Sequence, residues 1–227
     1  TASGKTVGYL MPIVAACVSG SLGREVAGVK HRLLPGSGHS ALYLAPTKAL
    51  AHDQLRSARE LAIQGFRPST LDGDSSDAER RFVRDSAHYV LSNPDMLHSG
   101  ILPHHPKWAK LFENLRFIVI DELHAYRGVF GSHLANVLRR LRRVCGHYGS
   151  DPQVICSSAT IANPAELAER LCDRRFTLVE KSGAPRGEKV FVFVNPPVVN
   201  RELGIRRSYL NEARRVTGEF LRRNLQI

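Results

Sequence analysis

Phe117-Ile118-Val119-Ile120-Asp121-Glu122-Leu123-His124 is the stretch on which the fold turns. Its four leading residues are all β-branched or aromatic, the composition of a strand buried on both faces inside a parallel sheet. Two carboxylates follow at once, at the carboxyl end of that strand, where open α/β sheets place their ligands. An acidic pair there suits a metal-phosphate site, in which one carboxylate holds Mg²⁺ and the next orients a water. The same pattern also fits a strand that simply runs into a solvated turn, so the pair decides nothing alone.

The first line of the chain changes that balance. Thr1-Ala2-Ser3-Gly4-Lys5-Thr6 has the form of the end of a phosphate-binding loop, G-x-x-x-x-G-K-[ST], whose leading position would fall before residue 1. Small residues let backbone N–H groups close around phosphates. Lys5 brings a point charge to the β/γ oxygens, and the Thr6 hydroxyl can ligate Mg²⁺. A bare Gly-Lys-Thr is common. Joined to Asp121-Glu122 on a later strand, it points to a nucleoside-triphosphate site.

The chain of 227 residues can bury a sizeable core in one large domain, or one and a half smaller ones. Thirty-two Lys and Arg against 21 Asp and Glu leave a net charge of +11, a field that attracts polyanions and makes nucleic acid the natural partner. Cys17, Cys145, Cys156 and Cys172 are scattered without a C-x-x-C pair, which argues against a zinc module in this stretch. They read as reduced thiols in or near the core of a cytoplasmic protein. The longest apolar run, Tyr9 to Val18, contains Pro12 and is too short to cross a bilayer, so no membrane is expected. No signal peptide is visible.

In order, the spacing of Val7, Leu10, Met11, Val14 and Val18 predicts a helix after the phosphate loop, and the glycine-rich residues 19–39 read as a surface loop. Strands are predicted at Ala41–Ala45, 67–71, His88–Leu91, Phe117–Ile120, Val154–Cys156, Phe176–Val179 and Val190–Val194. Between them, Thr47-Lys48 opens an amphipathic helix, and Ser76 or Asp77 caps a helix running through Arg84. Pro94 starts a short helix, Pro103 and Pro106 punctuate a loop, and Trp108, Leu111 and Phe112 lie on a helix. Leu134, Val137, Leu138, Leu141 and Val144 form the stripe of another, beside Arg139, Arg140, Arg142 and Arg143 as a solvated face. Asn163 caps one more, with Pro164 in its first turn. Strand and helix alternate throughout, which makes the fold class α/β with a mostly parallel, doubly wound sheet.

These pieces, in this order, resemble the first RecA-like domain of superfamily-two helicases of the DEAD/DEAH-box type. The resemblance rests on Thr1–Thr6, on Ala45-Pro46-Thr47-Lys48-Ala49-Leu50, on Asp121-Glu122-Leu123-His124 and on Ser158-Ala159-Thr160. Three longer blocks, Ser92–His98, Tyr126–His133 and Ser158–Pro164, resemble the YprA/MrfA-type DNA helicase branch. The resemblance implies a RecA-like P-loop NTPase fold. It also implies an ATP- and Mg²⁺-dependent DNA helicase working in DNA repair, with an RNA helicase, or a nucleic-acid-binding fragment without useful catalysis, as the alternatives. Family members carry an adenine-recognising motif upstream of the loop, a second RecA-like domain and, in this branch, a zinc-binding C-terminal region, none of them present in this sequence.

The roles follow residue by residue. Thr1, Ala2, Ser3, Gly4, Lys5 and Thr6 bind ATP, and Lys5, Asp121 and Glu122 are catalytic. Thr6 and Asp121 hold Mg²⁺, while His124, Ser158 and Thr160 couple the nucleotide site to the track. Thr47, Lys48, Gly73 and Asn93 touch the sugar-phosphate backbone of single-stranded or partly duplex DNA. Residues 1–199 are expected to form the first RecA-like domain. Residues 200–227 read as a linker and the first helix of the second, whose apolar stripe (Tyr209, Leu210, Ala213, Val216, Phe220, Leu221) has nothing here to bury it.

Overall fold

The computed structural model describes residues 5–19, 25–26, 29–30, 38–180 and 191–223. The chain divides into two units, Thr1–Ser182 and Gly183–Ile227.

In the first unit, α1 (Lys5–Ser19) leads to a small antiparallel pair, β1 (Glu25–Val26) and β2 (Val29–Lys30), inside the stretch read as a plain loop. Then follow β3 (Ser40–Leu44), α2 (Lys48–Glu60), β4 (Pro68–Thr70), α3 (Asp77–Ser86), β5 (Tyr89–Ser92) and a three-residue α4 (Pro94–Met96). A π turn (Leu97–Ile101) and a 3-10 stretch (Leu102–Trp108) carry Pro103 and Pro106 in helical rather than loop conformation before α5 (Ala109–Glu113). The unit closes with β6 (Leu115–Ile120), α6 (Gly128–His147), β7 (Gln153–Cys156) and α7 (Pro164–Cys172). No described helix is long and apolar enough to cross a membrane.

Five strands form one parallel sheet in the order β4-β5-β3-β6-β7. The register aligns Leu44 with Ser92 on one side and Ile120 on the other, and Ile120 with Cys156, so the strand ends lie along one edge. Period-two alternation sorts the side chains onto two faces. Leu42, Leu44, Val90, Ile118 and Ile120 pack with the buried stripe of α6 and with α7, while Ala41, Tyr43, Tyr89, Leu91 and Val119 pack with α1 and α2. Residues such as Ile13, Leu42 and Leu97 are fully buried. Each is worth about 1.5–3 kcal/mol against exposure.

Local chemistry fixes the helix starts. Ser76 and Glu79 make a reciprocal capping box on α3. Asn163 sits at the start of α7 but makes no cap; its amide donates to Glu166 at 3.1 Å instead, a correction to the cap expected there. α6 begins where the chain doubles back on Tyr126. A Cβ at Gly131 would stand 2.5 Å from the Tyr126 carbonyl oxygen, so only glycine fits that turn. The four cysteines are free, three of them buried and Cys156 half-buried. Arg139, Arg142 and Arg143 lie on the exposed face of α6.

Two predicted strands are not formed. Residues 176–179 have no regular structure, with Leu178 and Val179 exposed beyond the edge strand β7, and residues 191–194 are likewise irregular and exposed. Both segments have strand composition, yet neither has a ladder partner among the described residues, and composition alone does not make a strand.

In the second unit, the expected linker at 200–204 is the turn of a hairpin, β8 (Val198–Asn200) with β9 (Ile205–Arg206). Asn200 Oδ1 accepts the Leu203 N–H, and Gly204 takes a positive φ. α8 (Tyr209–Arg222) follows, its polar side laced by Glu212 with Arg207 and Arg215 and by Glu219 with Arg222 and Arg223. Tyr209, Leu210, Phe220 and Leu221 are exposed.

Candidate active site

Every residue singled out in the described part of the first unit lies on the carboxyl edge of the sheet or in the helix that faces it. The edge has two halves. Asp121-Glu122 after β6, Ser158–Thr160 after β7 and Lys5-Thr6 at the start of α1 make one; Thr47-Lys48 after β3, Gly73 after β4 and Asn93 after β5 make the other. Thr1, Ala2, Ser3 and Gly4 fall outside the described residues.

Asp121 is 9% exposed, and both of its carboxylate oxygens are engaged. Tyr43, from the middle of β3, donates its phenol to Oδ2 at 2.6 Å, and the Glu122 N–H donates to Oδ1 at 2.9 Å. Burial and the Asp121 charge push the Tyr43 phenol far above its ordinary pKa, so it stays a donor. Its ring lies 6.3 Å from Tyr9 of α1 and 6.2 Å from Tyr89 of β5. Burial and then the Asp121 charge push the Tyr9 phenol up to about 12, and Tyr9 also donates to Gln54 of α2 at 3.3 Å. Thr6 is within hydrogen-bonding reach of the same phenol.

Glu122 stands in the left-handed region, at φ 52° and ψ 45°. A non-glycine residue there costs about 1–3 kcal/mol and persists only where its surroundings over-determine it. They do: its N–H is taken by Asp121, and the next N–H, of Leu123, donates to Ser157 O at 2.8 Å. That bend turns the Glu122 carboxylate toward His124, whose Nδ1 is 3.2 Å from Oε2. The same Nδ1 lies 3.3 Å from the Ala159 N–H. One ring nitrogen serves one of these partners at a time: bare, it accepts from Ala159; protonated, it donates to Glu122.

Lys5, exposed at the head of α1, donates to the Ser158 carbonyl oxygen. On the Ser158–Thr160 side these contacts are made by backbone groups, the Ser158 carbonyl toward Lys5 and the Ala159 N–H toward His124. The Ser158 hydroxyl is buried with no partner among the described residues, and Thr160 is exposed. The sequence points to those hydroxyls and carries no sign of Ala159, whose contribution is an N–H that every residue but proline carries.

The donors present suit a metal ion carried by phosphates. No group of three or more His, Cys, Asp and Glu side chains among the described residues makes a cage for one. Mg²⁺ bound with a nucleotide keeps several waters and takes only one or two protein oxygens. Thr6 and Asp121 can supply them.

On the other half of the edge, Thr47 Oγ1 accepts the Leu50 N–H at 3.3 Å and caps α2, and Asn93 Oδ1 accepts the Met96 N–H at 2.8 Å and caps α4. Both keep a donor for another partner. Lys48 forms an ion pair with Asp74 at 2.5 Å, both exposed, and its Nζ lies beside Gly73. Asp72 is drawn into the same turn. Burial acts to raise its pKa, but the Asp74 N–H, His52 and the Lys48 charge outweigh it and hold the carboxyl below its ordinary value. His52 Nε2 is 3.1 Å from that carboxylate.

Comparison with known proteins gives this geometry its setting. Residues 1–167 match the family described as DEAD/DEAH box helicase. The chain is 52% identical over its whole length to the ATP-dependent helicase YprA of Bacillus subtilis, of which it spans 28%. It is 34% identical to the ATP-dependent helicase HRQ1 of Saccharomyces cerevisiae over 86% of the chain and 19% of that protein. Among solved structures, the DUF1998 helicase MrfA bound to DNA and AMPPNP superposes with a TM-score of 0.84 and 52% identity, over 97% of this chain and 29% of that one.

Proposed function

This chain belongs to the DEAD/DEAH box helicase family, and from that premise we propose that it is the ATP-binding motor half of a DNA helicase acting in DNA repair. The observation that carries the reading is the convergence at one strand edge. Lys5 reaches the Ser158 carbonyl while His124 faces both Glu122 and Ala159, so three separate sequence segments meet beside Asp121, a buried carboxylate held by Tyr43 and the Glu122 N–H. The likeness to a helicase bound to DNA and AMPPNP supports an adenine nucleotide as the fuel and DNA as the track.

Thr1–Thr6 cradle the phosphates, with Lys5 on the β/γ oxygens. Thr6 and Asp121 hold Mg²⁺, which when bound neutralises charge on the phosphate oxygens. Glu122 aligns the attacking water and accepts its proton. Alignment and charge are most of what a loose phosphoryl transition state asks for. His124 passes the state of Glu122 to the Ala159 backbone, and through it to the segment after β7. Thr47, Lys48, Gly73 and Asn93 grip the sugar-phosphate backbone without reading bases. Residues 200–227 lead into a second RecA-like domain, a reading supported by the exposed apolar side chains of α8.

The test is ATP hydrolysis by the full-length protein in the presence of matched DNA and RNA strands. Stimulation by DNA well above that by RNA is expected. Equal or greater stimulation by RNA would overturn the DNA assignment, and hydrolysis indifferent to both would overturn the motor reading.

A further inference from the structure

Three tyrosines of the first unit are fully buried: Tyr43, Tyr89 and Tyr126. Two of them, Tyr89 and Tyr126, keep hydroxyls with no hydrogen-bond partner among the described residues. The fold thus tolerates orphaned phenols. Tyr43 differs, because its hydroxyl meets Asp121 Oδ2 at 2.6 Å, the short separation of a charge-assisted bond. Its ring is fully buried, with the rings of Tyr9 and Tyr89 centred 6.3 Å and 6.2 Å away.

We propose that Tyr43 is a positioning residue for the metal-holding carboxylate: its phenol, with the Glu122 N–H on the opposite oxygen, fixes the plane in which Asp121 presents its remaining lone pairs. A carboxylate pinned at both oxygens loses its freedom about χ2 before anything binds, so none has to be frozen out when the metal arrives. Groups that hold a metal ligand in this way typically contribute about 10–100-fold to metal affinity or activity. The device also has a mechanical consequence. Tyr43 lies on the strand that leads into Thr47-Lys48, and its ring packs on Tyr9 of the helix that follows the phosphate loop. The orientation of Asp121 is therefore tied through one side chain to both neighbouring segments.

This inference rests on the metal role given to Asp121 above, and the test separates the two. In the full-length protein, binding of a fluorescent, non-hydrolysable ATP analogue is followed as Mg²⁺ is titrated, with melting temperature recorded for each variant. Tyr43→Phe removes one oxygen and leaves the ring in place. It should raise the half-saturating Mg²⁺ concentration about tenfold, with binding in excess chelator unchanged. Tyr89→Phe deletes an unpartnered hydroxyl on the same face and should match the wild type. If Tyr43→Phe shows wild-type Mg²⁺ dependence while Asp121→Asn loses it, the positioning role is overturned, whether or not the melting temperature has moved. If Asp121→Asn also keeps wild-type dependence, the metal role of Asp121 is what fails, and this inference falls with it.

Discussion

The two halves of the strand edge are built on different principles. Around Asp121, a nearly buried carboxylate has both oxygens engaged, Glu122 is bent into the left-handed region, and Leu123 and Ser157 are locked by backbone bonds. In the Lys48 half, Thr47, Lys48 and Gly73 are exposed and Asn93 is half-buried, and the ion pair of Lys48 with Asp74 is open to solvent on both sides. A transition state gains from groups fixed in advance, and low local dielectric strengthens each of them. A sequence-independent grip on phosphates gains from charge that can adapt, with each contact worth little by itself. Single substitutions should therefore cost much on the first half and little on the second.

The largest effect is expected from Asp121→Asn, which removes the charge proposed to hold Mg²⁺. Hydrolysis should fall on the order of 10²–10³-fold, as read by steady-state ATPase, and a loss of less than about fivefold would place the essential charge elsewhere. Next comes Gly131→Ala, which touches the bend between the acidic pair and α6. With a Cβ forced to 2.5 Å from the Tyr126 carbonyl oxygen, overpacking should cost about 1–3 kcal/mol, seen as a lowered melting temperature. Full stability in that variant would mean that the turn can relax without the glycine.

On the other half, Lys48→Ala should weaken single-stranded DNA binding by less than about tenfold, alike for all sequences, and reduce the log–log salt slope by about 0.7. A loss confined to particular sequences would contradict a backbone grip. The smallest effect belongs to Asp74→Asn. An ion pair open to solvent on both sides holds Lys48 only weakly, so DNA affinity should rise no more than about fivefold. A fall in affinity would show that Asp74 positions Lys48 rather than competing for it.

How much of the molecule is legible in its sequence follows from the same contrast. β6 can be read because a continuous apolar run suits a strand buried on both faces, and its acidic pair gains meaning only beside Gly4-Lys5-Thr6 earlier in the chain. Ser76 can be read because a cap and its Glu79 partner are local. The strands expected at Phe176–Val179 and Val190–Val194 are not formed over residues 176–179 and 191–194 (Val190 lies outside the described residues), because strand composition without a pairing neighbour among the described residues is only a preference. Tyr43 passes in the sequence for one more apolar strand residue. Its residue type alone does not mark it out, because Tyr89 and Tyr126 are as deeply buried and their hydroxyls have no partner among the described residues. The left-handed Glu122 and the Ala159 N–H carry no residue-type signature. They arise from how β6 and β7 end side by side, which only three-dimensional register reveals.

In the proposed function, one half of the edge performs chemistry through a prealigned acidic pair. Glu122→Gln in the full-length protein tests it most directly, with nucleotide affinity and single-turnover hydrolysis measured on the same preparation. The amide keeps the shape of the side chain and loses the charge proposed to orient and deprotonate water. Nucleotide affinity should stay within about threefold of wild type while the hydrolysis rate drops by about a hundredfold or more. Hydrolysis at the wild-type rate in that variant would remove Glu122 from the mechanism and contradict the account.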